Sequence, residues 1–504
     1  MESQDSVSYA SSLSNENAHQ ETKPYLKKEL LYVIDNNGST DYSRNQVQFE
    51  TVSISNNGKF ADYKNAFLSI PVVVTLSRNG AADAVTSGDG HKLLNFKNSN
   101  VNLIDSIIID YGNENVIQQN ANINAFCSFV QHTELSENDV LVNGEHIGYR
   151  LDSSEWDYDE SKGIVCKGTR PSSFKHLDGD QEVVMTNASV QASGENCYQE
   201  INTKFHVFRY DCIIRLKDLL FFQKMPLVRG ANIKITVNLN QSDTVTTYAS
   251  GDVVTSVSTL KGSSNFVLVN DALTPTDGVE TISLKVVKNG VYEHVKKQCR
   301  LYIPVYTMSP KAEDTLLSQK QKTFIYSDLF VKMVKDIDGN FRFLLTNSLS
   351  RIKRLVIVPM LSKHVSGAGV SISNPQESIY AHSPSGTSPA WIRDFNCKIS
   401  GSNLYDNSIE FKYQHYLNEM NGFYGLNANL ETGSVSSLIS MKDYNNTMGY
   451  LVCDLSRRYS YDESTPVSIE IQGVVASAMK LDLLCFIEYS KNCTIDLSTG
   501  KKIA

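Results

Sequence analysis

An unbroken alternation constrains this chain more than any other feature. From Asn232 to Asn240, Ile233, Ile235, Val237 and Leu239 fall on one side of an extended backbone, and Lys234, Thr236 and Asn238 fall on the other. Side chains along a strand alternate between faces, so the pattern predicts a strand with one face in a core and one toward water. That is the signature of an antiparallel sheet. Ahead of it, Phe205–Leu216 is a β-branched and aromatic run and Leu219–Phe222 a short apolar knot, while Pro226 and Gly230 bracket the turn between the runs. The unit reads strand, compact bend, strand. It contains no nucleophile, metal cluster or phosphate loop, so it reads as wall.

The same grammar recurs along the chain. Gln46–Ser53 alternates, Ala66–Leu76 and Val101–Tyr111 are strand-like, and Pro71 inside the former argues for an edge or bulge position. Asn56-Asn57-Gly58 and Asp338-Gly339 read as hairpin turns. Asn122–Ser136 and Phe411–Asn421 are candidate short helices, Met308-Ser309-Pro310 begins a linker, and Asn374–Ala390 is a Ser/Pro-rich loop. Strands are predicted at Arg300–Tyr306, Thr323–Val334, Asn340–Thr346, Ile352–Leu361, Asn396–Ser400, Gly449–Leu455, Val467–Val475 and Lys480–Tyr489. Polar insertions occupy about 142–200 and 241–297, the second carrying short β-like pieces at Asn265–Val269 and Thr281–Val287.

The second half replays the first. IDYGNENV (109–116) has its counterpart in ISGSNLYD (399–406), and RLKDL (215–219) in DLSRR (454–458). NIKITVNL (232–239) matches PVSIEIQG (466–473), and RLYIPVY (300–306) matches LDLLCFIEY (481–489). Shared order and periodicity predict a mainly β protein of two tandem sandwiches of about eight strands each, with long loop insertions and a few short helices. The expected division is a flexible arm over 1–27, a first sandwich over 28–306 and a second over 307–504. The arm is expected because its Ser, Asn, Gln and Glu offer almost nothing apolar to offset the entropy of ordering.

Composition narrows the function classes. Charged residues are 20% of the chain and the formal charge is −8, with no basic run, so no specific nucleic-acid binding is expected. The nine cysteines include no CxxC pair and several sit in apolar runs, which reads as buried free thiols of a reducing compartment. No apolar stretch opens the chain and none reaches membrane-spanning length, so a signal peptide and a membrane span are not expected. Asp157, Asp159, Ser161 and Gly163 loosely resemble a calcium loop, but the glycine is one place late and no glutamate closes the loop; a solvated acidic loop is the simpler reading. Ten histidines are spread singly, with no HExxH, and neither GxSxG nor a phosphate loop occurs in strand-to-helix context. No catalytic residue, cofactor or metal is therefore expected.

Six segments carry a resemblance to a known family. They are QVQFETVSISNNGKFADYKNAFLSIPVVVTL (46–76), RYDCIIRLKDLLFFQKMPLVRG (209–230), IPVYTMSPKAEDTLLS (303–318), LLTNSLSRIKRLVIVPML (344–361), YLVCDLSRR (450–458) and CTIDLSTG (493–500). In these the chain resembles the double jelly-roll major capsid proteins of the polinton-like virus and virophage group. The resemblance implies two jelly rolls side by side and a homotrimer with a pseudo-hexagonal outline. It further implies contacts with neighbouring capsomers and minor penton or cement proteins, in an icosahedral shell around double-stranded DNA. The protein would be made in the host cytoplasm and end in the virion. A second class stays open: Trp156, Trp391 and 25 tyrosines also suit a jelly-roll carbohydrate-binding module or glycosidase, although no carboxylate pair for hydrolysis stands out.

Overall fold

Two sets of eight strands carry the architecture. The first comprises β1 (Tyr25–Ile34), β2 (Gln46–Glu50), β3 (Phe67–Asn79), β4 (Ile104–Tyr111), β5 (Glu114–Ala121), β6 (Phe205–Arg215), β7 (Ile233–Leu239) and β8 (Arg300–Met308). The second comprises β9 (Gln321–Ile337), β10 (Asn340–Leu349), β11 (Ile352–Leu361), β12 (Ile392–Ile399), β13 (Ser402–Asn403), β14 (Leu451–Asp454), β15 (Val467–Val475) and β16 (Leu481–Asp496). In this computed structural model the described residues are 24–503 without 37–45, 56–57, 80–92, 97–98, 113, 150–155, 160–162, 167–197, 203–204, 241–242, 250–252, 260–265, 270–277, 287–297, 319, 362–391, 422–437, 447, 459–464 and 476–479.

The strands pair as β1-β8-β3-β6 and β2-β7-β4-β5, then as β9-β16-β11-β14 and β10-β15-β12-β13. Each strand of the first set thus has its counterpart eight places later in the second. This order is that of two Greek keys folded into one sandwich. Inward residues of facing sheets meet in each core. Phe49, Ile109 and Ile235 pack with Leu68, Ile70 and Leu301 in the first, and Phe341, Cys397 and Ile471 with Leu355, Leu483 and Cys485 in the second. The alternation over Ile233–Leu239 lies at the centre of its sheet, between β2 and β4.

Several expectations change. Tyr25–Lys27, placed in the arm, begin β1: they pair with β8, and the Tyr25 ring packs edge-on against Tyr306 at 5.3 Å. The arm's residues 1–23 lie outside the described residues, as do the loop 374–390, Trp391 and much of 142–200. Pro71 sits on no edge. Strand β3 pairs with β8 up to Ser69 and with the extra strand Gly278–Val286 from Val72 onward. On its other side Pro71 lies opposite Asp211 of β6. The insertion at 241–297 is therefore partly sheet, because Gly278–Val286, Asp243–Ala249 and Val253–Thr259 extend the β3 side of the first sheet.

The Asp338-Gly339 turn is no hairpin. It joins β9, which pairs with β16, to β10, which pairs with β15, so the chain crosses between sheets there. Gly339 supplies the positive φ (66°) that the reversal needs whichever sheet the next strand joins. The acidic stretch at Asp157 is not a loop: Trp156–Asp159 pairs with Gly163–Cys166 as a two-stranded hairpin.

The two candidate helices are α1 (Ile123–Glu134) and α4 (Tyr413–Asn421), and among the described residues three more accompany them besides the single turn Val52–Ser55: α2 (Glu137–Ile147), α3 (Pro310–Ser318) and α5 (Met441–Asn446). The expected linker is α3, started by Pro310 at a position where the missing N–H costs nothing. Helix α2 takes in the beginning of the expected 142–200 insertion. Both α2 and α5 start with Ser-x-x-Asp, and in each the serine hydroxyl accepts from the aspartate N–H at 3.1 Å while the carboxylate accepts from the serine. That reciprocal cap was readable in the sequence.

Candidate functional site at the seam between the sandwiches

A second alternation rule explains where the two sandwiches meet. In β11 and β16 the apolar residues run on without a polar face (LVIVPML and LDLLCFI). Leu355, Ile357, Leu483 and Cys485 face their own core, while Val356, Val358, Met360, Leu484 and Phe486 face outward and are equally buried. What covers them includes helix α1 of the first sandwich. Phe126 packs on Phe486 at 5.6 Å, and Phe129 sits edge-on to Tyr450 at 4.9 Å. Helices α4 and α5 complete the cover with Tyr416, Met420 and Tyr444.

The opposite ends of β9 and β16 overshoot their sandwich and enter the other core. Phe324, Tyr326, Cys493 and Ile495 are all part of the first sandwich's apolar cluster. Phe221, from the knot after β6, stands edge-on to Phe324 at 5.6 Å and to Tyr326 at 4.9 Å. The Tyr326 hydroxyl donates to the Val116 carbonyl at 3.0 Å. Past β16 the chain lies across the first sandwich, where the Tyr111 hydroxyl donates to the Gly500 carbonyl at 2.9 Å. Gly230 and Gly500, both at φ near +70° (73° and 67°), let the two backbones approach closely; a Cβ on Gly500 would collide with the Arg229 carbonyl oxygen.

Charges gather at this seam around a cavity of about 530 Å³. From the second sandwich, Glu488 accepts from Arg354 Nε at 2.6 Å and from the Ser327 hydroxyl at 2.6 Å, with Lys353 Nζ 3.4 Å away. Burial pushes the Glu488 carboxyl up, but Arg354, Lys353 and the Ser327 hydrogen bond outweigh it and hold the group at about 2. The Arg354 guanidinium also lies 5.5 Å over the Phe126 ring and 5.7 Å over Phe129. From the first sandwich, Asp218 takes a two-pronged bond from Arg215, both arms 3.0 Å, and a third from Gln131 at 3.0 Å. Burial nevertheless raises Asp218, and it raises Glu134 in the same cavity wall. Burial, then Arg215, lowers Lys217.

These groups hold surfaces together. Cys127 is buried, donates to the Asp218 carbonyl at 3.0 Å, and is pushed well above the ordinary thiol range by burial, which makes it a poor nucleophile. Among the described residues no three His, Cys, Asp or Glu side chains converge as metal ligands. No described helix is long and apolar enough to cross a membrane. The charges that matter, Glu488, Arg354 and Asp218, are not singled out by the sequence pattern. Their signal is a charge at the border of an apolar run: LDLLCFIEY, RIKRLVIVPML and RLKDLLFF.

Neither a protein-family model nor a curated protein matches the chain. Solved structures do. A chain of the Sputnik virophage structure determined by cryo-EM superposes with a TM-score of 0.56 at 12% identity, over 97% of this chain and 90% of that one. The chain is a double jelly roll. Two further likenesses are weaker: the mavirus major capsid protein at TM-score 0.49 and 10% identity, over 97% and 92% of the two chains, and the Faustovirus major capsid protein at 0.46 and 10%, over 94% and 92%. The seam is where this double jelly roll departs from two independent sandwiches, since each half completes the other's core.

Proposed function

We propose that this double jelly roll is the major capsid protein of a virus. Three copies form a pseudo-hexagonal capsomer, and capsomers tile an icosahedral shell around a double-stranded DNA genome. The observation that carries the reading is the duplication itself: two sandwiches of one connectivity, locked side by side by a sheet buried on both faces. Three such chains in a ring present six similar units, so one capsomer can meet six neighbours through similar contacts. The likeness to the virophage chain supports this. The formal charge of −8 fits a wall that encloses nucleic acid without coating it. Minor proteins would fill the fivefold positions that a pseudo-hexagonal unit cannot, and the protein would be made in the host cytoplasm and end in the virion.

Light scattering coupled to size exclusion, with negative-stain microscopy of the same fractions, tests the reading. A mass of three chains and particles of hexagonal outline are expected. A monodisperse monomer at high concentration, with no such particles, overturns it.

A further inference from the structure

The two sandwiches are joined at places of different chemistry. At one, α1 lies on the outward side of β11 and β16 in a packed apolar layer that includes Phe126, Phe129, Val356, Leu484 and Phe486. At another, the chain beyond β16 reaches the first sandwich with a turn, Asp496–Lys501. The Asp496 carboxylate shapes this turn, accepting from the Ser498 amide at 2.8 Å, the Ser498 hydroxyl at 2.6 Å and the Thr499 amide at 3.3 Å. The Gly500 amide donates to the Asp496 carbonyl at 2.8 Å, and Lys502–Ile503 folds back along Thr494–Ile495.

The first sandwich receives the turn on Arg229-Gly230. A Cβ on Gly230 would come within 2.7 Å of the Thr499 carbonyl oxygen, so the fit is backbone against backbone. The same Arg229 extends its side chain to Glu313 of α3, the helix that links the sandwiches, at 2.5 Å. One turn of the first sandwich thus holds both the linker and the end of β16. Few polar groups secure the contact. Among the described residues, the hydrogen bonds and ion pairs that cross from 496–503 to the first sandwich are two. The buried Tyr111 hydroxyl donates to the Gly500 carbonyl at 2.9 Å, and Lys502 pairs with Glu114, whose side chain is 51% exposed. Leu497 is buried, whereas Ser498, Thr499 and Lys501 are exposed.

Joints built in these two ways differ in how easily they open. Separating the apolar layer exposes area that water penalises, whereas a hydrogen bond and a rim ion pair are largely exchanged for bonds to water. We propose that the turn Asp496–Lys501 is a latch, an attachment between the sandwiches that opens and closes in the native protein while the apolar layer at the seam stays shut. Its release frees the sandwiches to tilt about the layer that remains, with α3 still tethered to Arg229. In a capsomer of the kind proposed above, this lets one chain adapt to neighbours met at different angles; only that use depends on the capsid reading.

Native-state hydrogen exchange on the full chain, read by mass spectrometry at single residues, tests the latch. A turn off its seat frays, so the hydrogen-bonded amides of Leu497 and Gly500 report its opening. In the wild type they should exchange well before the amides of α1 and of Leu483–Glu488, because a local opening reaches the former and only global unfolding reaches the latter. Tyr111→Phe removes the hydroxyl that holds Gly500 and should speed exchange at the turn about fivefold to tenfold, the net contribution of one such bond. Exchange in α1 and Leu483–Glu488 should not change. Turn amides that exchange in step with the seam in the wild type overturn the latch, and that comparison needs no variant to fold. A Tyr111→Phe effect of equal size at both places, or at neither, also overturns it. Light scattering on the same samples keeps the two readings apart: a wild type that stays monomeric overturns the capsomer, while the exchange pattern decides the latch.

Discussion

Replacing Glu488 by Gln isolates what the seam's charge contributes. The side chain keeps its shape and can still hydrogen-bond Ser327, but it removes the carboxylate paired with the Arg354 guanidinium, itself 12% exposed. In the folded protein Glu488 is held at about 2, against an ordinary value of 4.5. At roughly 1.4 kcal/mol per pKa unit, the native environment favours the carboxylate by about 3 kcal/mol. The folded value lies below the unfolded one. The stabilisation is therefore complete above the ordinary glutamate value and is lost as pH falls through the window down to about 2. Near neutral pH the variant should be less stable than wild type by about 3 kcal/mol, and the gap should close as acid protonates the wild-type group. Urea denaturation followed by circular dichroism, run on both proteins across that window, measures it. Acid weakens both proteins through other groups, so the difference between them is the readout. Equal stability at neutral pH would refute the charge argument. So would a gap that persists unchanged at the acid end, which would assign the cost to packing. Adding Arg354→Met to Glu488→Gln should recover much of the loss, because a buried pair replaced whole costs far less than one partner removed.

Phe221→Ala should cost about 3–5 kcal/mol, since the ring is fully buried; because its partners Phe324 and Tyr326 come from β9, calorimetry should also show one unfolding transition splitting into two. A single transition at the wild-type temperature would show that the sandwiches are not coupled there. Cys127, Cys212, Cys299, Cys397, Cys453, Cys485 and Cys493 are all buried, with Cys397 and Cys485 pushed up to about 12 by burial, so a thiol reagent at neutral pH should modify none of these seven until the protein unfolds. Mass spectrometry that finds Cys485 labelled in the native protein would contradict the two-sided burial of β16.

Local pattern determined a good deal of this molecule. Alternation over Ile233–Leu239 and Val467–Val475 specified strands with one buried face, and the structure buries Ile233, Ile235, Ile469 and Ile471 completely. The matched order of segments specified two copies of one sandwich, down to the 3-10 turns that follow β6 and β14 at Leu216–Asp218 and Leu455–Arg458. These are properties of residues a few places apart, which share a face or a turn whatever the rest of the chain does. Tertiary structure alone decided what lies across from them. Asp338-Gly339 specifies a reversal, but the pairing of β9 with β16 and β10 with β15 makes it a crossing between sheets. The unbroken apolar run of β16 says that both faces are covered; that Phe126 of the other sandwich covers one of them depends on docking. Glu488 looks like a solvent-facing charge at the end of a strand until Arg354, Lys353 and Ser327 close on it. Such contacts join residues far apart in the chain, up to 389 positions for Tyr111 and Gly500, and no periodicity in a single stretch can register a partner that only the folded backbone brings within reach.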